Sequence, residues 1–226
     1  MIRRLTLLAA AALPLAAMPA PAQASEDFQA WFMGVAQGRV KDDVIVYAEV
    51  QPRFTDNADR LGQLLLRPAI GIQLDRRTSV LVGYAYVRTE PLGGRATDEH
   101  RVWQQIAWPV ATVGKLAVVA RTRLEQRTVV GAVDLGWRFR QQIRATHPIA
   151  QGGRVAAVVW TEPFYNLNAT DWGQRTGFDQ WRTFVGAALP VADKLSVEPG
   201  YTNQTVFRRG ENRSNHVAGL NLFYRF

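Results

Sequence analysis

Asn215-His216-Val217-Ala218-Gly219-Leu220-Asn221-Leu222-Phe223-Tyr224-Arg225-Phe226 closes the chain, and its side chains alternate without a break. His216, Ala218, Leu220, Leu222, Tyr224 and Phe226 fall on one face, and Val217, Gly219, Asn221, Phe223 and Arg225 on the other. A period of two is the period of a β-strand, whose successive Cβ atoms point to opposite faces. The stretch ends on an aromatic residue, which in water would sit on a fraying terminus with its apolar surface exposed. A transmembrane barrel gives that residue a place, in the interfacial girdle beside the closing strand. This one segment predicts a strand of a closed, membrane-spanning sheet.

Working back from it, ten more runs alternate in the same way: Phe28–Gln37, Val44–Thr55, Leu61–Asp75, Thr78–Thr89, Glu99–Trp108, Lys115–Arg127, Val133–Thr146, Arg154–Asn168, Phe178–Leu189 and Leu195–Phe207. Each has roughly the length of a tilted transmembrane strand, about 9–11 residues or a little more, where soluble strands run about 5–6. The connections alternate in length. Lys41-Asp42-Asp43, Asp75-Arg76-Arg77, Gln151-Gly152-Gly153 and Asp193-Lys194 are tight turns, whereas Glu90–Asp98, Ala169–Gly177 and Arg208–Ser214 are longer loops. Outer-membrane barrels have short periplasmic turns and long external loops, which would place Phe226 at the periplasmic side. The fold expected is all-β: a single antiparallel transmembrane barrel of about 10–12 strands. Barrels of one chain normally have an even strand number, so eleven visible runs leave two options. Either Phe28–Gln37 is a lumenal or periplasmic segment that could plug the barrel, or a further strand is hidden in a longer run.

The start of the chain reads as an export signal. Arg3 and Arg4 precede the apolar run Leu5–Met18, and Ala22-Gln23-Ala24 is a small-residue cleavage site. Pro14, Pro19 and Pro21 interrupt a run that is too short for a membrane helix of about 20 residues. Residues 1–24 are therefore read as a cleaved signal and 25–226 as one barrel domain. Cleavage removes two of the 27 basic residues, leaving 25 against 19 acidic and a net charge of +6. An exported basic chain meets anionic lipid and anionic solutes rather than nucleic acid. It contains no cysteine, so no disulfide holds the fold.

Energetics decides which face of the strands looks inward. In Lys115–Arg127, Leu116, Val118, Ala120, Thr122 and Leu124 oppose Arg121, Arg123, Glu125 and Arg127; in Val133–Thr146, Val133, Leu135, Trp137, Phe139 and Ile143 oppose Asp134, Arg138, Arg140, Gln142 and Arg144. An arginine facing lipid at the midplane costs about 2–4 kcal/mol, and several together would consume a typical folding free energy of about 5–15 kcal/mol. The charged face is thus the lumenal one. Its expected lining is Glu49, Arg53, Arg101, Arg121, Arg123, Glu125, Arg127, Arg138, Arg140 and Arg144, with Tyr47, Gln51 and Gln105 beside them and Glu162 and Glu198 as further acids. Phe54, Trp108, Trp137, Trp160, Trp181 and Phe207 are expected in the aromatic girdles.

Two resemblances add to this. Residues 215–226 resemble the carboxy-terminal assembly signal of Gram-negative outer-membrane barrels, with Tyr224 and Phe226 at its aromatic positions and Asn221 where that signal usually has Gly. The succession Glu99-His100-Arg101, Leu124-Glu125-Gln126-Arg127, Phe164-Tyr165-Asn166-Leu167-Asn168, Phe178-Asp179-Gln180-Trp181-Arg182 and Phe223-Tyr224-Arg225-Phe226 resembles the DUF2490 family. That resemblance implies a small exported outer-membrane barrel, and it carries no catalytic residue. The expected partners are outer-membrane lipids and lipopolysaccharide, the barrel-assembly machinery and periplasmic chaperones. A monomer without cofactor or metal is expected.

Three functions stay open on the sequence: a narrow passive channel or binding vestibule favouring small anions, a structural envelope barrel with a filled lumen, and a lipid-modifying enzyme. The last would rest on Ser214 and His216, which share a face with Glu211 nearby. The order is wrong for a lipid A deacylase, in which His precedes an adjoining Ser-Asn pair; no catalytic residue is assigned. Asp56, Asn57 and Asp59 offer hard oxygens of the kind calcium takes, but they also make an ordinary Asx-rich turn. Deleting Phe226, or replacing it with Asp, is expected to leave little protein in the outer membrane and to induce envelope stress. Normal membrane levels of the truncated chain would refute the assembly role.

Overall fold

The structure, a computed structural model, describes residues 25–150 and 154–226. The expected signal at 1–24 and the turn Gln151-Gly152-Gly153 lie outside them. All eleven alternating runs are strands: β1 (Ser25–Lys41), β2 (Val44–Thr55), β3 (Arg60–Gln73), β4 (Ser79–Thr89), β5 (Thr97–Val113), β6 (Leu116–Val129), β7 (Gly136–Pro148), β8 (Ala156–Asn166), β9 (Gly177–Ala192), β10 (Leu195–Val206) and β11 (Arg213–Arg225). They close into one barrel in chain order, every neighbouring pair antiparallel except one. The exception joins the ends: β1 pairs with β11 in parallel, from Ser25 beside Arg213 to Gln37 beside Arg225. The segment Phe28–Gln37 is therefore a stave of the wall and not a plug. With eleven up-and-down strands, the first and last run the same way, so closure requires one parallel junction.

Connections at one rim are tight, as at residues 42–43, 114–115 and 193–194, while those at the other reach residues 90–96, 130–135, 167–176 and 207–212. The outward face is apolar along most of each strand: Phe32, Val50, Ile70, Val82, Val102, Val159, Val185 and Leu220 are all more than a third exposed. Inward, the two halves of the barrel differ. Ile45, Leu65, Leu81, Ala85, Val87 and Trp103, on β2 to β5, form a buried apolar cluster. Buried charge fills the remainder, including Arg123, Glu125, Arg138, Arg140 and Glu162. Trp160 differs from expectation. On β8 the even positions face inward, and Trp160 stacks on Phe184 inside the barrel at a ring separation of 5.3 Å. Phe54, Trp137 and Trp181 face outward.

The final aromatic has a built seat. Phe226 donates its N–H to the carbonyl of Gln37 at 3.2 Å, and its ring and carbonyl cover Gly38. A Cβ at Gly38 would stand 2.4 Å from that carbonyl oxygen and 2.5 Å from the ring, far inside van der Waals contact. Gly38→Val should therefore push Phe226 off the parallel junction. Overpacking of this kind typically costs about 1–3 kcal/mol, read as a lower unfolding midpoint in detergent and a smaller heat-resistant fraction on unboiled gels. An unchanged midpoint would show that the seat contributes nothing to closure.

Candidate functional site

The candidate site is the lumen, built by alternate residues of all eleven strands. The strand period brings these side chains to one face, but the register of the ladder decides which of them meet. Arg123 stands across from Arg140, and Glu125 from Arg138, on the β6–β7 pair. Like charges directly opposed are unfavourable unless carboxylates intervene, and two do. The Glu125 carboxylate, 1% exposed, accepts from Arg138 Nε at 2.9 Å and Arg140 Nη1 at 2.7 Å, with Arg101 at 3.9 Å and Arg123 at 4.0 Å. Arg140 turns its other edge to Glu162, at 2.9 and 3.1 Å, and Arg121 donates to the same carboxylate at 2.8 Å. Nearer the long-loop mouth, Glu99 binds Arg101 at 2.7 Å and Arg127 at 2.5 Å. Nearer the tight-turn mouth, Glu198 holds Arg144, and Glu49 holds Arg67 on the far wall.

Among the described residues, this lattice leaves room for two open spaces. One, of about 540 Å³, opens toward the long loops and is bordered by Arg101, Arg127 and Arg138. The other, of about 360 Å³, lies toward the tight turns and is bordered by Glu49, Arg121, Arg123 and Arg144. Trp31, Arg53, Arg67, Arg140 and Arg182 border both, so they form the neck between them. Two guanidiniums lie over the Trp31 ring, Arg53 at 3.9 Å and Arg182 at 4.9 Å from its centre. Such contacts are worth about 0.5–2 kcal/mol each, and they orient both arginines.

Of the ten residues expected to line the lumen, nine border a space: Glu49, Arg53, Arg101, Arg121, Arg123, Arg127, Arg138, Arg140 and Arg144. Glu125 lies beneath them as the shared counter-ion. Asp134 is not in the lumen. β7 begins only at Gly136, and Asp134 sits in the connection before it, exchanging hydrogen bonds with Asp171 of the next loop: Asp134 N–H to Asp171 at 3.2 Å, and Asp171 N–H to Asp134 at 2.8 Å. The N–H groups of Val133 and Asp134 hold the exposed Asp171 carboxyl below its usual range. The sequence reading missed Trp31, Arg67 and Arg182, as well as the acids Asp27, Glu99 and Asp179. Alternation along β1, β3 and β9 carried that signal; the pairing across strands did not show in it.

The other candidates resolve differently. In the turn at 56–58, Asp56, Asn57 and Ala58 all have positive φ, and the N–H groups of Asp56 and Asn57 point at the Asp27 carboxylate at 3.4 and 3.0 Å. That cradle holds an anion, already supplied by β1, which is the opposite of a calcium site. Ser214 accepts from Asn203 at 3.2 Å, whereas His216 Nδ1 meets the Tyr201 hydroxyl at 2.6 Å. They serve separate neighbours.

A closed up-and-down barrel, charged within and apolar without, defines the class of outer-membrane β-barrel folds. A NanC porin structure shares this architecture, with a TM-score of 0.51 at 10% identity, covering 88% of this chain and 99% of that one. A bacterial polysaccharide outer membrane secretin is also similar, with a TM-score of 0.49 at 12% identity over 83% of this chain and 66% of that one. Within that class the chain belongs to the DUF2490 family, described as proteins of unknown function, whose profile matches residues 28–215. An uncharacterized protein of Methylorubrum extorquens is 39% identical over 97% of each chain.

Glu125→Gln tests the lattice. It removes one charge from a carboxylate shared by two buried arginines, and breaking such a pair costs about 3–5 kcal/mol. A fall in the unfolding midpoint of that order is expected, with Glu198→Gln, whose partner Arg144 is partly exposed, falling less. Equal effects would mean that Glu125 is not the centre of the network.

Proposed function

We propose that the protein is exported and spans the outer membrane of a Gram-negative bacterium as a monomer. Its lumen then acts as a narrow passive pathway, or a binding vestibule, that favours small anions. The outward face supports the location: its apolar belt runs round the barrel and far exceeds the few hundred Å² that a water-soluble monomer exposes in one patch. Lipids and lipopolysaccharide are the partners this surface suits, and the seated Phe226 suits recognition by barrel-assembly machinery and its chaperones. The observation that carries the anion preference is the neck, where four arginines and Trp31 separate the two spaces. Rings of arginine are how anion pores select, and low-dielectric walls focus the field.

The bonded lattice favours a second reading, a structural barrel whose interior is side-chain filling. No enzymatic role is proposed: Ser214 and His216 bond to separate neighbours, Asn203 and Tyr201, and purified protein is expected to release no acyl chains from phospholipid. The deciding measurement is the reversal potential of a planar bilayer under a salt gradient. Anion preference is expected, with Arg121→Glu shifting it toward cations. Cation preference rejects the pathway, and absence of conductance from folded protein selects the structural reading.

A further inference from the structure

The neck arginines are held differently from the rest of the lattice. Among the described residues, the ion pairs of the lumen engage Arg67, Arg101, Arg121, Arg123, Arg127, Arg138, Arg140 and Arg144 and leave Arg53 and Arg182 out. Their hydrogen-bond partners are neutral amides: Arg53 donates to Gln63 and Gln51, each at 2.7 Å, and Arg182 donates to Gln180 at 2.8 and 3.1 Å. Arg53, which borders both spaces, is 6% exposed, and its buried Nε–H has no partner among the described residues. A buried guanidinium with an idle donor and no counter-ion is unfavourable by itself. The amides orient the two charges without neutralising them, and the Trp31 ring holds both at one level.

The smaller space below the neck has a second character. Its wall includes Trp160 stacked on Phe184, with Val35, Val217 and Phe223 beside them. Phe184 is kept there by design of the backbone: a Cβ at Gly200 would lie 2.3 Å from its ring. A bare inorganic anion makes no use of such a wall. A carboxylate attached to a flat apolar body uses both, the carboxylate at Arg53 and Arg182 and the body against Phe223 and Trp160, which the buried Phe184 backs. At about 360 Å³ the space is within the range of small-molecule sites, about 300–1,000 Å³.

We infer that the neck and the space beneath it form a binding site for small organic acids that carry one carboxylate on a planar apolar body. This deepens the anion-lumen reading and rests on it, but it concerns binding rather than flow. The test is titration calorimetry on the whole mature protein, folded in detergent and checked by gel mobility without boiling, using benzoate, acetate and benzamide as probes. Benzoate should bind at least roughly tenfold more tightly than acetate, which lacks the ring, and than benzamide, which lacks the charge. Arg53→Gln combined with Arg182→Gln should abolish the benzoate signal, and Trp160→Leu should reduce the benzoate preference over acetate while sparing acetate. Benzoate and acetate binding alike, or benzamide matching benzoate, overturns the inference, and the wild-type comparison alone suffices should a variant not fold. The bilayer reversal potential stays an independent readout: anion preference without benzoate binding refutes the site and keeps the pathway, whereas failure of both removes the reading beneath it.

Discussion

An arginine buried in a barrel keeps its proton, so its charge must be met, by the wall or by what the lumen holds. That constraint organises this interior. Taking a guanidinium out of water is costly unless carboxylates of good geometry answer it. Here Glu125 and Glu162 each answer two, with Arg140 spanning between them. The registers of β6 against β7 and of β7 against β8 follow from it. A slip by one residue would turn the whole charged row outward and the apolar row in, which neither side would tolerate.

The apolar half solves the complementary problem. Trp103 fills the space beside β2 to β5, with its indole N–H donated to the Tyr84 carbonyl at 3.2 Å and the Arg123 guanidinium 4.2 Å from its ring. Gly83 makes room for it, since a Cβ there would stand 2.4 Å from the indole. Packing on one side and ion pairing on the other meet at this one side chain. What is left open between them is small, divided and positive at its narrowest point.

Much of this was legible in the sequence. Alternation located all eleven strands, the arginine rows gave the inward face, and Phe226 marked the closing edge. The errors lie where a period of two is silent. Trp160 looked like a girdle residue because it is a tryptophan within a long run; its parity relative to Glu162 places it inside. Asp134 shares parity with Arg138, but β7 starts after it, at Gly136. The neck was beyond reach for a different reason. Trp31, Arg53 and Arg182 come from β1, β2 and β9, and only the shear of the closed sheet brings strands so distant in the chain to one level. The even-strand rule also misled, because it describes barrels whose ends pair antiparallel.

The parallel junction bears on how the chain could be rewired. Where the ends of an up-and-down barrel lie at one mouth, a short linker suffices to join them, and the chain can be opened in some other loop. Here β1 starts beside Arg213 at the long-loop mouth, whereas β11 ends beside Gln37 at the opposite one. Thirteen paired residues separate these ends, roughly 40 Å of sheet at about 3.3 Å per residue. A linker joining them must run through the lumen, across the arginine neck, or along the apolar exterior. Circular permutation, simple where both ends share a mouth, is made far harder here by parity alone.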